Sequence, residues 1–214
     1  MKAEQFEDVL QFWFPNLPST DPAARVRQWE WWFRGGRDAE IIEHFPPLLE
    51  RAIRGELDDW SQEPRSRLAL ILVLDQFSRT IYQGTAQAFA QDKKACELAI
   101  AGIANGHYAA LKTPWEKTFF FLPLGHTEDL QHQDQAIALA DELVHESPPE
   151  YRSLLEFSAA QVRRHRHIIA QFGRHPHRNE VLGRQSTPEE LEYLARGQLV
   201  HRHPFPPDLA QFLS

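Results

Sequence analysis

Residues 147–173, SPPEYRSLLEFSAAQVRRHRHIIAQFG, decide the fold. They open on Ser147-Pro148-Pro149-Glu150, the pattern of a helix start. The hydroxyl accepts from the first free N–H groups, proline early in the first turn has no N–H to lose, and the glutamate reaches back to the cap. They close on Gly173, the residue type that most readily takes the left-handed conformation ending a helix. One long helix is therefore expected over 149–172. The same start recurs at Thr113-Pro114-Trp115-Glu116 and Thr187-Pro188-Glu189-Glu190, with Asp21-Pro22 as a shorter form. Reading outward between these signals, helices are expected near 3–14, 22–34, 38–53, 65–83, 86–105, 114–122, 127–146, 188–196 and 207–213 as well. Gly84 and Gly106 end two of them, and Pro46-Pro47 kinks or splits the third. Strand signals are nearly absent and the connections are short, so neighbouring helices should run antiparallel. The expected architecture is one all-α domain over residues 1–214, an antiparallel array of helical hairpins without a regular sequence repeat.

Composition narrows the class. An apolar fraction of 42% and a charged fraction of 25% are those of an ordinary globular chain. The longest apolar run, Leu68 to Leu74, is too short to span a bilayer. The start, MKAEQFEDVL, is acidic and amphipathic, unlike a secretory leader. Cys96 has no second cysteine to pair with, which fits a reducing compartment, and a cytoplasmic location is expected. Its place in AQDKKACELAIAGIANG reads as a small core residue, not a nucleophile. A net charge of −7 argues against a nucleic-acid partner. The charge is uneven, however: residues 151–204 hold nine cations, all arginine, against five acids, and six of the eleven histidines. The early aromatics, Phe12, Trp13, Phe14, Trp29, Trp31, Trp32 and Phe33, read as helix-packing core in preference to a cofactor stack.

Three stretches bear groups with chemistry. Asp75 follows the apolar LALILVL and so falls on a buried helix, where a carboxylate must be paired. Arg79 stands four residues on, in the favourable acid-before-base order. Leu124-Gly125-His126-Thr127-Glu128-Asp129 is read as opening a helix, with His126 at its N-terminus. Glu128 and His132, four apart, offer two groups of metal-ligand type, fewer than a zinc site needs. The richest stretch follows Gly173: Arg174, His175, His177, Arg178 and Arg184 crowd a short connector before the cap at Thr187. Arginines beside a helix start suit a carboxylate or phosphate, although such residues also cap carbonyls and hold a loop. His175-x-His177 and His201-x-His203 are chelate-like pairs without a defined geometry. No nucleophile elbow, phosphate-binding loop or dinucleotide fingerprint is present.

Taken together, Phe12-Trp13-Phe14, Trp32-Phe33, Gly55-Glu56-Leu57 with Trp60, Leu74-Asp75-Gln76-Phe77 with Arg79, and Phe89-Ala90-Gln91-Asp92 form a distinctive series. It continues through Leu122-Pro123 with His126 and Glu128, His165, Phe172-Gly173-Arg174, Pro176-His177-Arg178-Asn179 and Leu182-Gly183-Arg184-Gln185-Ser186-Thr187-Pro188-Glu189-Glu190. This string resembles the bacterial family called domain of unknown function 924, whose fold is similar to that of tetratricopeptide-like helical proteins. The chain departs from the family pattern at Ser78 and Thr80, where proline and asparagine are usual. It departs again at His175, usually aromatic, and at Gly125, usually a larger residue. The resemblance implies the helical fold and singles out Asp75, Arg79, His126, Glu128, His165, Arg174, His177, Arg178 and Arg184. It implies no activity.

Three functions fit this set. In the leading one, the helices converge these groups on one pocket for a small anionic or phosphorylated ligand. His126 or His165 would serve there as acid or base, Asp75 or Glu128 as orienting carboxylate, and Arg79, Arg174, His177, Arg178 and Arg184 as the clamp. Alternatively, a helical scaffold grips an acidic peptide or protein partner. In the third, the histidines hold a metal or haem. No cofactor, metal set or membrane association is otherwise assigned, and turnover is left open.

Overall fold

The computed structural model describes residues 5–15, 21–197, 200 and 203–212. The described residues are helical, with no strand among them. The α-helices are α1 (Phe6–Trp13), α2 (Pro22–Arg34), α3 (Asp38–His44), α4 (Pro46–Ile53), α5 (Pro64–Leu72), α6 (Ser78–Ile81), α7 (Asp92–Ala104), α8 (His107–Ala110), α9 (Pro114–His126), α10 (Leu130–Glu146), α11 (Arg152–Phe172), α12 (Pro188–Ala195) and α13 (Pro207–Ala210). No helix among the described residues is long and apolar enough to cross a membrane.

The caps explain most of these limits. Asp21 accepts from Ala23 N–H at 3.0 Å and Ala24 N–H at 3.2 Å, and α2 begins there. Thr113 and Thr187 form reciprocal capping boxes with Glu116 and Glu190. The box expected at Ser147 does not form. Pro148 and Pro149 lead instead into a 3-10 turn, Pro149–Tyr151, and α11 starts at Arg152 without a side-chain cap. Pro46 splits the third helix as expected, and Gly84, Gly106 and Gly173 take positive φ. One stop signal is overridden. Proline disfavours helix in the residue before it, yet α9 runs through Pro123 to His126. The stretch Phe119–Phe121 with Leu124 is buried almost completely, and that burial outweighs the local cost.

The chain divides into two compact units. The first comprises the described residues of Met1–Pro18 together with Arg37–Thr127. Its centre is α5, whose residues Leu68–Leu72, with Val73 and Leu74, are wholly inaccessible. A helix apolar on every side is buried on every side, and α5 packs against α1, α7 and α9. Phe12, Phe45 and Phe77 form a ring cluster with centroids 4.5–6.1 Å apart, joined by Trp13 at 5.6 Å from Phe77. Cys96 is buried in α7.

The second unit comprises Ser19–Gly36 and Glu128–Ser214, within the described residues. Helices α10 and α11 pack along one another, and α12 packs on the 3-10 turn Pro176–Arg178. Trp29 of α2 meets Phe157 at 5.1 Å and Phe205 at 4.9 Å, both edge to face, and its indole N–H donates to Ser158 Oγ at 2.8 Å. Of the early aromatics, Phe12, Trp13, Trp29 and Trp32 are core, whereas Phe14, Trp31 and Phe33 are half-buried, and the buried ones serve two cores. Those of α1 belong to the first unit and Trp29 of α2 to the second.

Candidate functional site

The first unit holds a chain of charged groups built around Asp75. After Leu72 the helix widens into one π-turn, Val73–Phe77, before α6. Such turns displace carbonyls from regular pairing and are frequent at functional sites. Two side chains take up the displaced oxygens: Ser78 Oγ–H donates to Leu74 O at 2.6 Å, and Arg79 donates to Asp75 O. The Asp75 carboxylate, fully inaccessible, receives Arg79 Nη1 at 3.0 Å and the Gln76 amide, and lies 2.7 Å from His126 Nδ1. Arg79 reaches onward, with Nη2 2.9 Å from Asp92 Oδ1 at the start of α7. The series is Asp92–Arg79–Asp75–His126.

Its electrostatics follow from burial and order. Burial alone would push the Asp75 carboxyl up, but Arg79 and then His126 outweigh it and hold the group well below the usual carboxylate range. The Arg79 guanidinium stays charged because Asp75 and Asp92 overcome its desolvation. For His126, burial and the Arg79 charge prevail over Asp75, and its pKa is lowered from 6.5. The imidazole is therefore neutral at pH 7. With Nδ1–H donating to Asp75, the basic lone pair of that tautomer sits on Nε2. His126 is the last residue of α9, not the start of the next helix as its sequence context suggested. A helix C-terminus favours an imidazolium, so the lowering arises from burial and Arg79 against the local dipole. Beside it, Gly125 is buried, yet a Cβ placed there meets nothing within 4 Å.

The remaining candidates lie in the second unit, where each has a defined place. Glu128 precedes α10, whose cap is Asp129, so it does not share a helical face with His132. Arg184 grips Glu128 through Nη1 and Nη2 at 2.8–3.0 Å, and the backbone N–H of His175 donates to Glu128 Oε1 at 2.8 Å. Burial raises the Glu128 carboxyl, but Arg184 and this N–H leave it lowered. Arg174 makes the parallel bond to Glu190 at 2.6 and 2.7 Å and donates to Gln185 O at 2.8 Å. Glu190 also receives Asn179 Nδ2 at 3.1 Å and Thr187 N–H at 2.8 Å. Two arginine–carboxylate forks therefore shape the connector. Arg178 is 6% exposed on the 3-10 turn, and His165, His175 and His177 form a row with ring centroids 5.5 and 5.4 Å apart. Among the described residues, no three His, Cys, Asp or Glu side chains are placed to hold a metal. His201, one of the chelate-like pair, lies outside the described residues.

Glu190 provides a test of the connector. The Arg174 fork, with the Thr187 N–H and Asn179, lowers its carboxyl from 4.5 to about 2. A depressed carboxyl contributes stability that is complete above its unfolded value and lost as pH falls through its folded one. Thermal stability should thus decline between about pH 4.5 and 2 partly through this group. Glu190→Gln should be less stable at pH 7 and show a flatter profile over that window. Parallel melting profiles for the two proteins would contradict the assignment.

Asp92 and Glu190 are the groups that motif reading undervalued. Glu190 was visible as a helix cap but not as the partner of Arg174. Asp92 lies thirteen residues beyond Arg79, across a loop, where no periodicity connects them.

A solved structure of a protein of unknown function from Agrobacterium tumefaciens, ATU0120, is similar to this one. It has a TM-score of 0.67 at 33% identity, covering 90% of this chain and 97% of that one. A search of curated proteins finds no match. A family model described as "Bacterial protein of unknown function" matches residues 9–198, and the chain belongs to that family, DUF924.

Proposed function

We propose that the protein is an enzyme whose acid–base centre is His126, oriented by Asp75. The observation that carries this reading is the 2.7 Å contact between His126 Nδ1 and a fully inaccessible, ionised Asp75. A carboxylate so placed selects one tautomer, directs the ring and stabilises the imidazolium formed when Nε2 takes a proton. Positioned imidazoles of this kind contribute roughly 10²- to 10⁴-fold to proton-transfer steps. The reacting molecule is proposed to be small, and Gly125, where a Cβ would meet nothing within 4 Å, adds no bulk next to His126 in the chain. A clamp of arginines on an anionic ligand is less well supported. Arg174 and Arg184 are engaged by Glu190 and Glu128, and Arg79 by Asp75 and Asp92.

Cleavage of p-nitrophenyl acetate, an ester labile to any reactive neutral imidazole, tests the reading. With hydroxide and the other ten histidines subtracted as background, the wild-type protein should cleave it at least about tenfold faster than His126→Gln, with a rate rising as the imidazole loses its proton and levelling above pH 7. Equal rates would favour the helical scaffold, in which His126 is a packing residue.

A further inference from the structure

Resting on that reading, the geometry points to Asp92 as a positioning residue for His126, acting through Arg79 and Asp75. The three contacts, 2.9 Å from Asp92 to Arg79, 3.0 Å from Arg79 to Asp75 and 2.7 Å from Asp75 to His126, join α7, α6, the π-turn and α9 without a gap. Asp92 keeps only 13% of its side chain exposed and Arg79 22%, so solvent screens the series weakly. Asp92 touches none of the atoms that would react, and its influence is electrostatic.

Charge counting shows what it does. Arg79 lies between two carboxylates, and each holds part of its attraction. With both present, Asp75 is left able to draw the imidazole N–H strongly. If Asp92 is neutralised, the full guanidinium charge falls on Asp75 and His126. Asp75 becomes a poorer acceptor, and the imidazole faces an uncompensated cation. Both changes disfavour imidazolium. Asp75, Arg79 and Asp92 are the charged groups that act on the ring, and of these only Asp92 can be altered without dismantling the buried pair.

Asp92 has an ordinary structural role to be separated from this one. It is the first residue of α7, where an acid stabilises the helix dipole. Loss of that role would lower the melting temperature and leave His126 as it was. The experiment is therefore an NMR titration of the His126 ring in the full chain, for wild type, Asp92→Asn and Asp92→Glu. Asp92→Asn should shift the His126 midpoint down by about one pH unit, and Asp92→Glu should restore it toward the wild-type value. An unmoved midpoint in Asp92→Asn, with or without a lower melting temperature, would overturn the inference. That result would leave the proposed acid–base role intact, because the role is judged on the wild-type ring and the ester assay. A normal Asp92→Asn shift with no ester cleavage would instead retain the coupling and remove the enzyme.

Discussion

Asp75→Ala should destabilise the protein by about 3–5 kcal/mol, the range for breaking a buried ion pair from one side. For a chain of this length, the melting temperature would fall on the order of 10 °C. The cost is large because Asp75 satisfies three neighbours at once. The Gln76 amide and His126 Nδ1 lose their acceptor, and the Arg79 guanidinium keeps the backbone oxygen of residue 75 and Asp92 but loses the buried carboxylate. Asp75→Asn separates stability from function. It keeps the volume and an acceptor oxygen for Arg79, so the melting temperature should fall less. It removes the charge that fixes the imidazole tautomer, so ester cleavage should fall about tenfold, toward the His126→Gln level and no further. Differential scanning calorimetry with the ester assay reads both effects. A stable Asp75→Ala protein would mean that the carboxylate is not the centre of the series.

The second large effect is a reversal of sign between two glycines. Gly102 in α7 and Gly125 in α9 both lie inside helices, where alanine is ordinarily better by about 1 kcal/mol. A Cβ on Gly102 would stand 2.4 Å from Phe120 Cζ and 2.7 Å from Arg67 Cδ. Neither can retreat easily. Phe120 is completely inaccessible, and Arg67 is tied to His107 Nδ1 at 3.1 Å, Leu98 O at 2.9 Å and Ser61 O. Overpacking of this kind costs about 1–3 kcal/mol, or more where the ring is locked, and overcomes the helical gain. Gly102→Ala should therefore lower the melting temperature while Gly125→Ala raises it. Two chemical denaturation curves decide the matter, and a stabilised Gly102→Ala protein would show that the packing between α7 and α9 is looser than described.

The helices were legible because their ends carry local chemistry. Thr113, Thr187 and Asp21 cap through side-chain oxygens that any reader of the sequence can locate, and α2 begins at the residue they indicate. Ser147 misled because capping also depends on the turn that follows, and two consecutive prolines impose a 3-10 turn there. His126 was assigned to the wrong end of a helix for a related reason. Pro123 is a local stop signal, whereas the burial of Phe119–Leu124 is tertiary and leaves no mark at that position. The Asp75–Arg79 pair was readable, being four residues apart on one helix. Its partners His126 and Asp92 come from other helices, and only the fold brings them together. The arginines of the connector read as a clamp because the sequence displays their charge and not their partners. Glu128 lies 56 residues from Arg184, and Glu190 lies 16 from Arg174.

The most direct test of the Asp75–His126 centre is a nitrogen-15 NMR titration of His126 in the wild-type protein, assigned through His126→Gln. Orientation of His126 by Asp75 requires a proton on Nδ1, an unprotonated Nε2 at pH 7 and a midpoint below 6.5. A proton on Nε2 with Nδ1 bare, or a midpoint above 6.5, would contradict it and leave Asp75 and His126 as a structural pair.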